Sequence, residues 1–276
     1  HGATLRDGTE VIVKVVRPDI EPTITQDVSL MNLMASLLER YWEPAARLKF
    51  SLVVAEVEKT IFDELDMFRE GANASQLSRN FGNSAKLCVP KVFWDYTCDN
   101  ILVTEKVVGL NISDRDALIK AGVDLKALAV TGVDILFTQI FRDHFFHADI
   151  HPGNIFIIPQ DGSNPDRYAV VDFGIMGSLS EFDQHYLAEN CSAFLNRDYR
   201  RVAELHVESK WVPAETRVDE FEFAIRSVCE PIFDRPVKEI SLGNLLLRLF
   251  QTARRFSMEI QPQLLLLQKT LVSVEG

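Results

Sequence analysis

One stretch in the middle of the chain constrains the fold more than any other part of the sequence. It contains Asp149, then Asn154, then two apolar runs at 155–158 and 168–171, and it ends in Asp172-Phe173-Gly174. Turn-forming residues separate the two runs, so we predict a β-hairpin there. The hairpin would bring Asn154 close to Asp172, although the two are distant in sequence. The stretch therefore predicts a loop, a hairpin and a turn that contribute to one site.

This set of side chains is typical of phosphoryl-transfer enzymes. Asp149 is the candidate catalytic residue, because an Asp in this loop faces the attacking hydroxyl. Asn154 and Asp172 are candidate metal ligands. The metal ions of such enzymes bridge negatively charged phosphates, which requires hard oxygen ligands. The pattern predicts ATP or ADP together with Mg²⁺ as cofactors.

The beginning of the chain predicts a second part of the same site. Asp7-Gly8 lies between short apolar runs at 3–5 and 11–16, which is a strong signal for a β-hairpin. Lys14 falls in the second strand and matches the strand lysine that contacts nucleotide phosphates in kinases. A buried or half-buried lysine needs a carboxylate partner, and Glu70, on a predicted helix, is our candidate.

That helix is predicted to run without interruption over 51–81, with Ser51 as its N-cap residue. Asp63, Asp66 and Glu70 are spaced to share one face of it. Like charges so placed destabilise a helix by about 0.2–0.5 kcal/mol per pair. We expect Lys14 and a metal-bound phosphate to face this cluster and offset the repulsion.

Two further strands are predicted at 91–95 and 101–107, joined by a turn. The second resembles the strand and hinge that hold adenine in kinases. Thr104, Glu105 and Val107 are therefore candidate ATP-binding residues. Val108-Gly109 ends this strand, and we place the boundary between two lobes there.

The predicted fold class is α+β, a protein-kinase-like fold of two lobes. Residues 1–108 form a small, strand-containing N-lobe, incomplete at its start, with an inserted helix at 23–42. Residues 109–276 form a mostly helical C-lobe that carries the catalytic loop and the Asp-Phe-Gly motif. We expect helix over 113–146 and, after Gly174, helices to residue 274 with interruptions at four prolines: Pro213, Pro231, Pro236 and Pro262.

Composition excludes several other classes of protein. The 276 residues carry 29 basic and 40 acidic side chains, a net charge of −11, so a general nucleic-acid-binding surface is not expected. No apolar run approaches the roughly 20 residues of a membrane-spanning helix. The four cysteines form no CxxC pair, which indicates neither a zinc ribbon nor a redox motif.

Several motifs together resemble the UbiB family of atypical kinases. They are Val13-Lys14-Val15-Val16-Arg17-Pro18, Glu64-Leu65-Asp66 with Arg69-Glu70-Gly71-Ala72-Asn73, and His147-Ala148-Asp149-Ile150-His151-Pro152-Gly153-Asn154. Within the resemblance, Glu64 and Asp66 match the Glu-x-Asp motif of the family. His147 and His151 match its His-Ala-Asp-x-His-Pro-Gly-Asn motif.

The resemblance implies an ATP-binding protein needed for ubiquinone biosynthesis, acting as an ATPase or as a small-molecule or lipid kinase. It implies quinone precursors, lipid and other ubiquinone biosynthesis proteins as partners, and the cytoplasmic face of the bacterial inner membrane as the location. The family's Lys-x-Gly-Gln segment and Ala-rich loop are expected before His1, and its hydrophobic C-terminal helices after Gly276. We therefore expect the sequence to be truncated at both ends.

Two features favour an atypical kinase independently of the resemblance. Residue 148 is Ala where common protein kinases carry the Arg that reads a phosphorylated activation loop. The sequence after Gly174 leaves no room for a long activation loop. Protein-kinase activity is therefore not expected.

Other interpretations stay open at this point. His144, His147 and His151 surround Asp149 in a way that a metallohydrolase could use. An aminoglycoside-type phosphotransferase also carries an Asp-x4-Asn loop. A pseudokinase that senses nucleotide and holds a biosynthetic complex together would keep the same motifs. Finally, the apolar and basic stretch 242–256 is either a core helix or a helix that lies on an anionic membrane.

Overall fold

The computed structural model describes residues 1–41, 50–82, 84–160 and 165–233, together with 245, 247–249, 251–252, 255–258 and 270. Its contacts divide the chain into two units. The first comprises His1–Gly109 and Ala169–Ile175, and the second Leu110–Tyr168 and Met176–Gly276. The Asp172-Phe173-Gly174 segment, which the sequence assigned to the later part of the chain, thus belongs to the first unit.

Among the described residues before Gly109, the first unit contains four strands: β1 (Gly2–Thr4), β2 (Glu10–Val15), β3 (Leu87–Cys88) and β4 (Ile101–Glu105). β2 lies between β1 and β4 and is antiparallel to both, with Lys14 opposite Leu102. The first hairpin is confirmed. Asp7 Oδ1 accepts a hydrogen bond from Thr9 N at 2.9 Å, and Gly8 adopts a φ of 90°, which favours glycine.

The strand predicted at 91–95 is wrong. Val92 forms only an isolated bridge with Thr104, and Trp94–Tyr96 is a 3₁₀ turn. The hydroxyl of Thr97 donates to Phe93 O at 3.0 Å and accepts from Val103 N at 3.3 Å, which draws the chain into a turn. β4 also ends at Glu105, two residues before the predicted end.

The helices of the first unit are α1 (Ile20–Tyr41), α2 (Phe50–Leu65) and α3 (Met67–Phe81). The inserted helix is confirmed and starts three residues earlier than predicted. The single helix predicted over 51–81 is wrong, because Asp66 leaves helical geometry with φ −82° and ψ 94° and caps α3. Ser51 lies inside α2 and is not its N-cap; its N–H donates to Glu39 Oε1 at 2.7 Å.

The helices that the structure bounds in the second unit are α4 (Arg115–Lys120), α5 (Leu125–Phe137), α6 (Glu181–Leu195), α7 (Tyr199–Glu208) and α8 (Val218–Phe233). The continuous helix predicted over 113–146 is interrupted at Gly122, whose φ is 78°, and α5 continues into a π-helical turn, Thr138–Arg142. The interruption predicted at Pro231 is wrong, because α8 runs to Phe233. Pro231 removes one i→i−4 hydrogen bond, and the helix continues past it. Pro236 and Pro262 lie outside the described residues.

The later part of the chain contributes the strands β5 (Leu110–Asn111), β6 (Phe145–His147), β7 (Ile155–Ile158), β8 (Arg167–Val170) and β9 (Met176–Ser178). The last two residues of β8 belong to the first unit. β7 and β8 are the predicted hairpin strands and are neighbours in one sheet, and β5 is antiparallel to β7. Phe145 and Phe146 were predicted in helix, as was the chain after Gly174. Both segments instead pair as antiparallel strands, β6 with β9. Gly177 allows this pairing, because any Cβ there would collide with the ring of Phe146.

The stretch 242–256 lies largely outside the described residues. Within it Leu245 is buried and Leu247 is exposed. Among the described residues, no helix is both long and apolar enough to cross a membrane.

We predict a pH dependence of stability from His206 in α7. The centre of its ring lies 5.4 Å from that of Phe221 and 5.5 Å from that of Tyr186. The ring is therefore buried away from water, and this desolvation lowers the pKa of His206 to about 4. The unfolded chain takes up this proton near pH 6.5, so acidification from pH 7 to pH 5 favours unfolding by about 2 kcal/mol.

In thermal denaturation at both pH values, His206→Phe should lose less stability on acidification than the wild type. The exposed His185 provides the control, because His185→Gln should keep the wild-type response. An unchanged response in His206→Phe would contradict the assignment.

Candidate active site

Three of the predicted site residues meet in the first unit. Lys14 Nζ lies 2.7 Å from Glu70 Oε2 and 3.4 Å from Asp172 Oδ1. β2 presents the lysine, the first turn of α3 presents the glutamate, and the segment after β8 presents the aspartate. The Glu70 side chain is 2% exposed, whereas Lys14 and Asp172 are 44% and 40% exposed. One end of this group is thus buried and the other faces solvent.

The electrostatics of this group follow from its burial. Burial lowers the pKa of Lys14, but the carboxylates of Glu70 and Asp172 outweigh that effect and hold its pKa above the ordinary value. Burial raises the pKa of Glu70, and the Lys14 ammonium acts against that rise. Lys14 therefore stays charged at neutral pH and can offer a cation to an anionic ligand.

α3 also holds the main chain beside Asp172. Phe173 N donates to Glu70 Oε1 at 3.4 Å, and Asn73 Nδ2 donates to Phe173 O at 2.9 Å. Gly174 N donates to Asp172 Oδ1 at 3.1 Å. The sequence analysis assigned no role to Asn73. Its spacing from Glu70, one helical turn, was the signal that could have found it.

The Glu-x-Asp pair has two different environments. A Cβ placed on Gly174 would lie 4.0 Å from Glu64 Cγ, so Glu64 borders the Asp-Phe-Gly segment. Asp66 instead caps α3, accepting from Arg69 N at 2.9 Å. Arg69 also forms an ion pair with Asp63. The guanidinium of Arg69 offsets the charge of Asp63, and Asp66 is bonded by the main-chain N–H of Arg69. The expectation that Lys14 offsets the charges of these two aspartates is therefore wrong, because Lys14 pairs with Glu70 and Asp172.

Gly71 sets the distance between α3 and β4. A Cβ on Gly71 would lie 3.0 Å from Trp94 Cη2 and 3.2 Å from Leu102 Cδ1. Leu102 is the residue opposite Lys14 in the sheet. The absence of a side chain at Gly71 thus lets the helix approach the strand closely enough for Glu70 to reach Lys14.

The candidate adenine-binding residues lie at the end of β4 and just after it. Thr104 is opposite Ile12 of β2, and Glu105 Oε2 accepts from Lys91 N at 3.3 Å. Val107 follows the strand. No contact described here tests their role with adenine, which stays a prediction.

The residues of the candidate catalytic loop belong to the second unit. His147 is 1% exposed, and its Nδ1 accepts from Asp149 N at 3.2 Å. Gln139, in the π-helical turn, accepts from His147 N at 2.9 Å, and Thr270 Oγ1 donates to His147 O at 3.2 Å. This buried network holds the backbone that carries Asp149. Nothing in the sequence signalled the parts played by Gln139 and Thr270.

His151 and Asn154 shape the rest of the loop. His151 Nδ1 accepts from Gly153 N at 3.1 Å, and Asn154 N donates to His151 O at 3.0 Å. Asn111 Nδ2 donates to Pro152 O at 3.0 Å. His151 thus caps the 3₁₀ turn Pro152–Asn154, which carries the candidate metal ligand. The predicted approach of Asn154 to Asp172 stays a prediction.

The metallohydrolase interpretation is not supported. The Nδ1 atoms of His147 and His151 each accept from a main-chain N–H group, and His144 Nδ1 lies 3.1 Å from Ile140 O. Within the described part of the chain, no three His, Cys, Asp or Glu side chains are grouped to hold a metal ion.

Mg²⁺ does not need a group of three such side chains. It is commonly held by one or two protein oxygens, with phosphates and water completing its coordination. In the first unit, Asp172 offers a half-exposed carboxylate, which suits a hard cation bound together with a phosphorylated ligand. In the second unit, Asn154 lies on a capped turn, and its role as a second ligand stays a prediction.

Comparison with known proteins decides the family. The profile of the ABC1 atypical kinase-like domain matches residues 1–206, and that of the UbiB helical domain matches residues 225–276. The chain belongs to the UbiB family of atypical kinase-like proteins. The resemblance drawn from the motifs is thereby confirmed, as is the kinase-like fold class.

Curated UbiB relatives match over the whole chain. "Probable protein kinase UbiB" of Marinobacter nauticus is 60% identical over 276 residues, and the protein of the same name from Azotobacter vinelandii is 57% identical. The chain covers 50% and 51% of these two proteins, so it spans about half the length of the relatives it matches.

A solved structure of Rv3197 with erythromycin, from Mycobacterium tuberculosis, has a similar fold. Its TM-score is 0.67 at 19% identity, and the match covers 100% of this chain and 68% of the other. At this identity the similarity concerns the fold alone.

The cap on α3 can be tested directly. Asp66→Ala removes the side-chain acceptor for Arg69 N and should lower the free energy of unfolding by about 1 kcal/mol in chemical denaturation. Asp66→Asn keeps a capping oxygen and should lower the free energy of unfolding by only a few tenths of a kcal/mol. Equal losses in the two variants would show that the charge of Asp66, rather than its cap, stabilises this unit.

Proposed function

We propose that this chain is the nucleotide-binding part of an atypical kinase-like ATPase or small-molecule or lipid kinase. The observation that carries the proposal is the group of Lys14, Glu70 and Asp172. A strand lysine held by a buried helix carboxylate, next to a half-exposed aspartate, is the arrangement that phosphoryl transfer requires.

Each residue has a defined task in this proposal. Lys14 places its ammonium against the phosphates of ATP or ADP, and Glu70 keeps that ammonium in place. Asp172 and Asn154 hold Mg²⁺, which, when bound, neutralises charge on the phosphates. Asp149 accepts the proton of the attacking hydroxyl or water. Thr104, Glu105 and Val107 contact adenine.

Two observations support a substrate other than protein. Ala148 is completely buried and offers no charge to a phosphorylated loop. β9 begins two residues after Gly174, and Ser180 caps α6 directly after it with a side chain that accepts from Asp183 N at 3.2 Å. The segment that supports a peptide substrate in protein kinases has no counterpart between these elements.

We further propose that the parent protein acts in ubiquinone biosynthesis, which the UbiB name of the relatives implies. Quinone precursors, lipid and other proteins of that pathway are the proposed partners. The proposed location is the cytoplasmic face of the bacterial inner membrane.

The first test measures ATP hydrolysis by the full-length protein with Mg²⁺, with and without quinone precursors and anionic lipid. Asp172→Asn should lower kcat by about 100-fold, because a neutral amide is a weaker ligand for the Mg²⁺ that would neutralise charge on the phosphates. Lys14→Met should raise the KM for ATP. Because this variant leaves Glu70 without its cation, thermal denaturation is used to check that the chain is still folded. Lys120→Met, on the exposed face of α4, is the control.

If the wild type binds nucleotide but hydrolyses none under any of these conditions, the proposed enzymatic activity is contradicted. That result would favour the nucleotide-sensing scaffold.

The second test concerns the pathway. Expression of the full-length wild type or of Lys120→Met in a strain lacking its own UbiB should restore growth on a respiratory carbon source. It should also restore the amount of ubiquinone that can be extracted from the cells. Asp172→Asn should restore neither. Full restoration by Asp172→Asn would show that the pathway does not need phosphoryl transfer by this protein.

A further inference from the structure

We propose that Asn73 is a positioning residue, which fixes the Asp172 carboxylate by holding the main chain of Phe173. The proposal rests on the function proposed above, because it concerns the orientation of the candidate metal ligand. Asn73 contacts neither the lysine nor the aspartate in the contacts described, and acts through the peptide group that follows Asp172.

The geometry is a two-point hold on one residue. Phe173 N donates to Glu70 Oε1 at 3.4 Å, and Phe173 O accepts from Asn73 Nδ2 at 2.9 Å. The bond from Asn73 is the shorter of the two and has the length of a strong amide–carbonyl hydrogen bond. With a ring only 1% exposed, Phe173 is held on its side-chain side as well.

This hold sets the position of Asp172 relative to Lys14. Asp172 Oδ1 accepts from Gly174 N at 3.1 Å and lies 3.4 Å from Lys14 Nζ. Its carboxylate therefore depends on the backbone conformation at 172–174. Lys14 is tied to Glu70 on the same helix that carries Asn73, so α3 determines both the cation and the metal ligand.

The anchor itself is rigid. α3 buries a stripe formed by Met67, Glu70, Gly71, Ala74 and Leu77, and Ala74 is fully buried. Asn73 stands beside this stripe and is half-buried. A helix fixed in this way transmits the position of its side chains to the segment they hold.

Helix propensity separates this role from a purely structural one. Ala is a better helix former than Asn by several tenths of a kcal/mol. If Asn73 served only α3, replacing it with Ala would stabilise the helix or leave it unchanged. A loss of order confined to the Asp-Phe-Gly segment is therefore specific to the positioning role.

The experiment uses the full-length protein and three variants: Asn73→Ala, Asn73→Asp and, as the control on the same helix, Asn80→Ala. Amide hydrogen exchange is measured for segment 169–175, for α3 and for β2, with thermal denaturation alongside. The Mg²⁺ dependence of ATP hydrolysis is then recorded at saturating ATP.

In Asn73→Ala, the hydrogen-exchange rates of the Phe173 and Gly174 amides should rise about fivefold, which corresponds to the loss of one hydrogen bond. Exchange in α3 and β2, and the melting temperature, should stay at wild-type values. The half-saturating Mg²⁺ concentration should rise about fivefold, while the KM for ATP stays unchanged because the Lys14–Glu70 pair is intact. Asn73→Asp should show larger effects, since its carboxylate would face the carbonyl of Phe173. Asn80→Ala should behave as the wild type.

Unchanged exchange at 172–174 in both Asn73 variants would overturn the proposal. So would faster exchange that extends through α3 and β2 with a lower melting temperature, since the contact with Phe173 would then stabilise the whole unit rather than position the Asp172 segment. If the wild type hydrolyses no ATP, the proposed function fails, but hydrogen exchange still decides on the hold by Asn73 because it needs no catalysis.

Discussion

The ion pair between Lys14 and Glu70 is the interaction on which the rest of the first unit depends. A carboxylate as buried as that of Glu70 is costly unless a charged partner and further hydrogen bonds compensate for the lost water. Lys14 Nζ at 2.7 Å satisfies one oxygen, and Phe173 N approaches the other at 3.4 Å. A strand, a helix and a segment from far along the chain must therefore meet at this carboxylate for the unit to be stable.

Close packing makes the meeting possible. Gly71 follows Glu70 directly, and a side chain there would press against Trp94 and Leu102. Asp66 ends α2 and starts α3, so the helix that carries Glu70 has its own direction. A glycine and a helix cap thus place the carboxylate, while the hold of Asn73 on Phe173 carries that placement to Asp172. Stability and chemistry rely on the same few contacts.

In the second unit, a network of hydrogen bonds around His147 holds the segment that carries Asp149. His147 is buried and accepts from the backbone of Asp149, and its own backbone is bonded by Gln139 and Thr270. Thr270 lies within the segment matched by the UbiB helical domain, whereas His147 lies within the segment matched by the ABC1 domain. The helical domain therefore supports the catalytic loop directly. A buried network is useful here only when its members are satisfied, because an unpaired polar group is costly in the interior.

The sequence by itself determined the elements whose signals are local. Asp7-Gly8 predicted the first hairpin, and the two apolar runs predicted β7 and β8. The order of Lys14, Glu70, Asp149, Asn154 and Asp172 predicted the kinase-like fold, because these motifs occur together for a chemical reason. Periodicity failed where tertiary contacts override it. Phe145-Phe146 reads as helix by composition but pairs with β9, since Gly177 accepts the Phe146 ring.

Only the tertiary structure decided which carboxylates belong to the site. Asp63, Asp66 and Glu70 are equivalent by helical spacing. The break at Asp66 gives Asp63 and Asp66 to Arg69 and leaves Glu70 to Lys14. The partners Gln139 and Thr270 were likewise beyond the sequence, because hydrogen bonds between distant residues leave no pattern in a single chain. Local geometry is written in neighbouring residues, whereas the pairing of buried polar groups depends on which elements pack together.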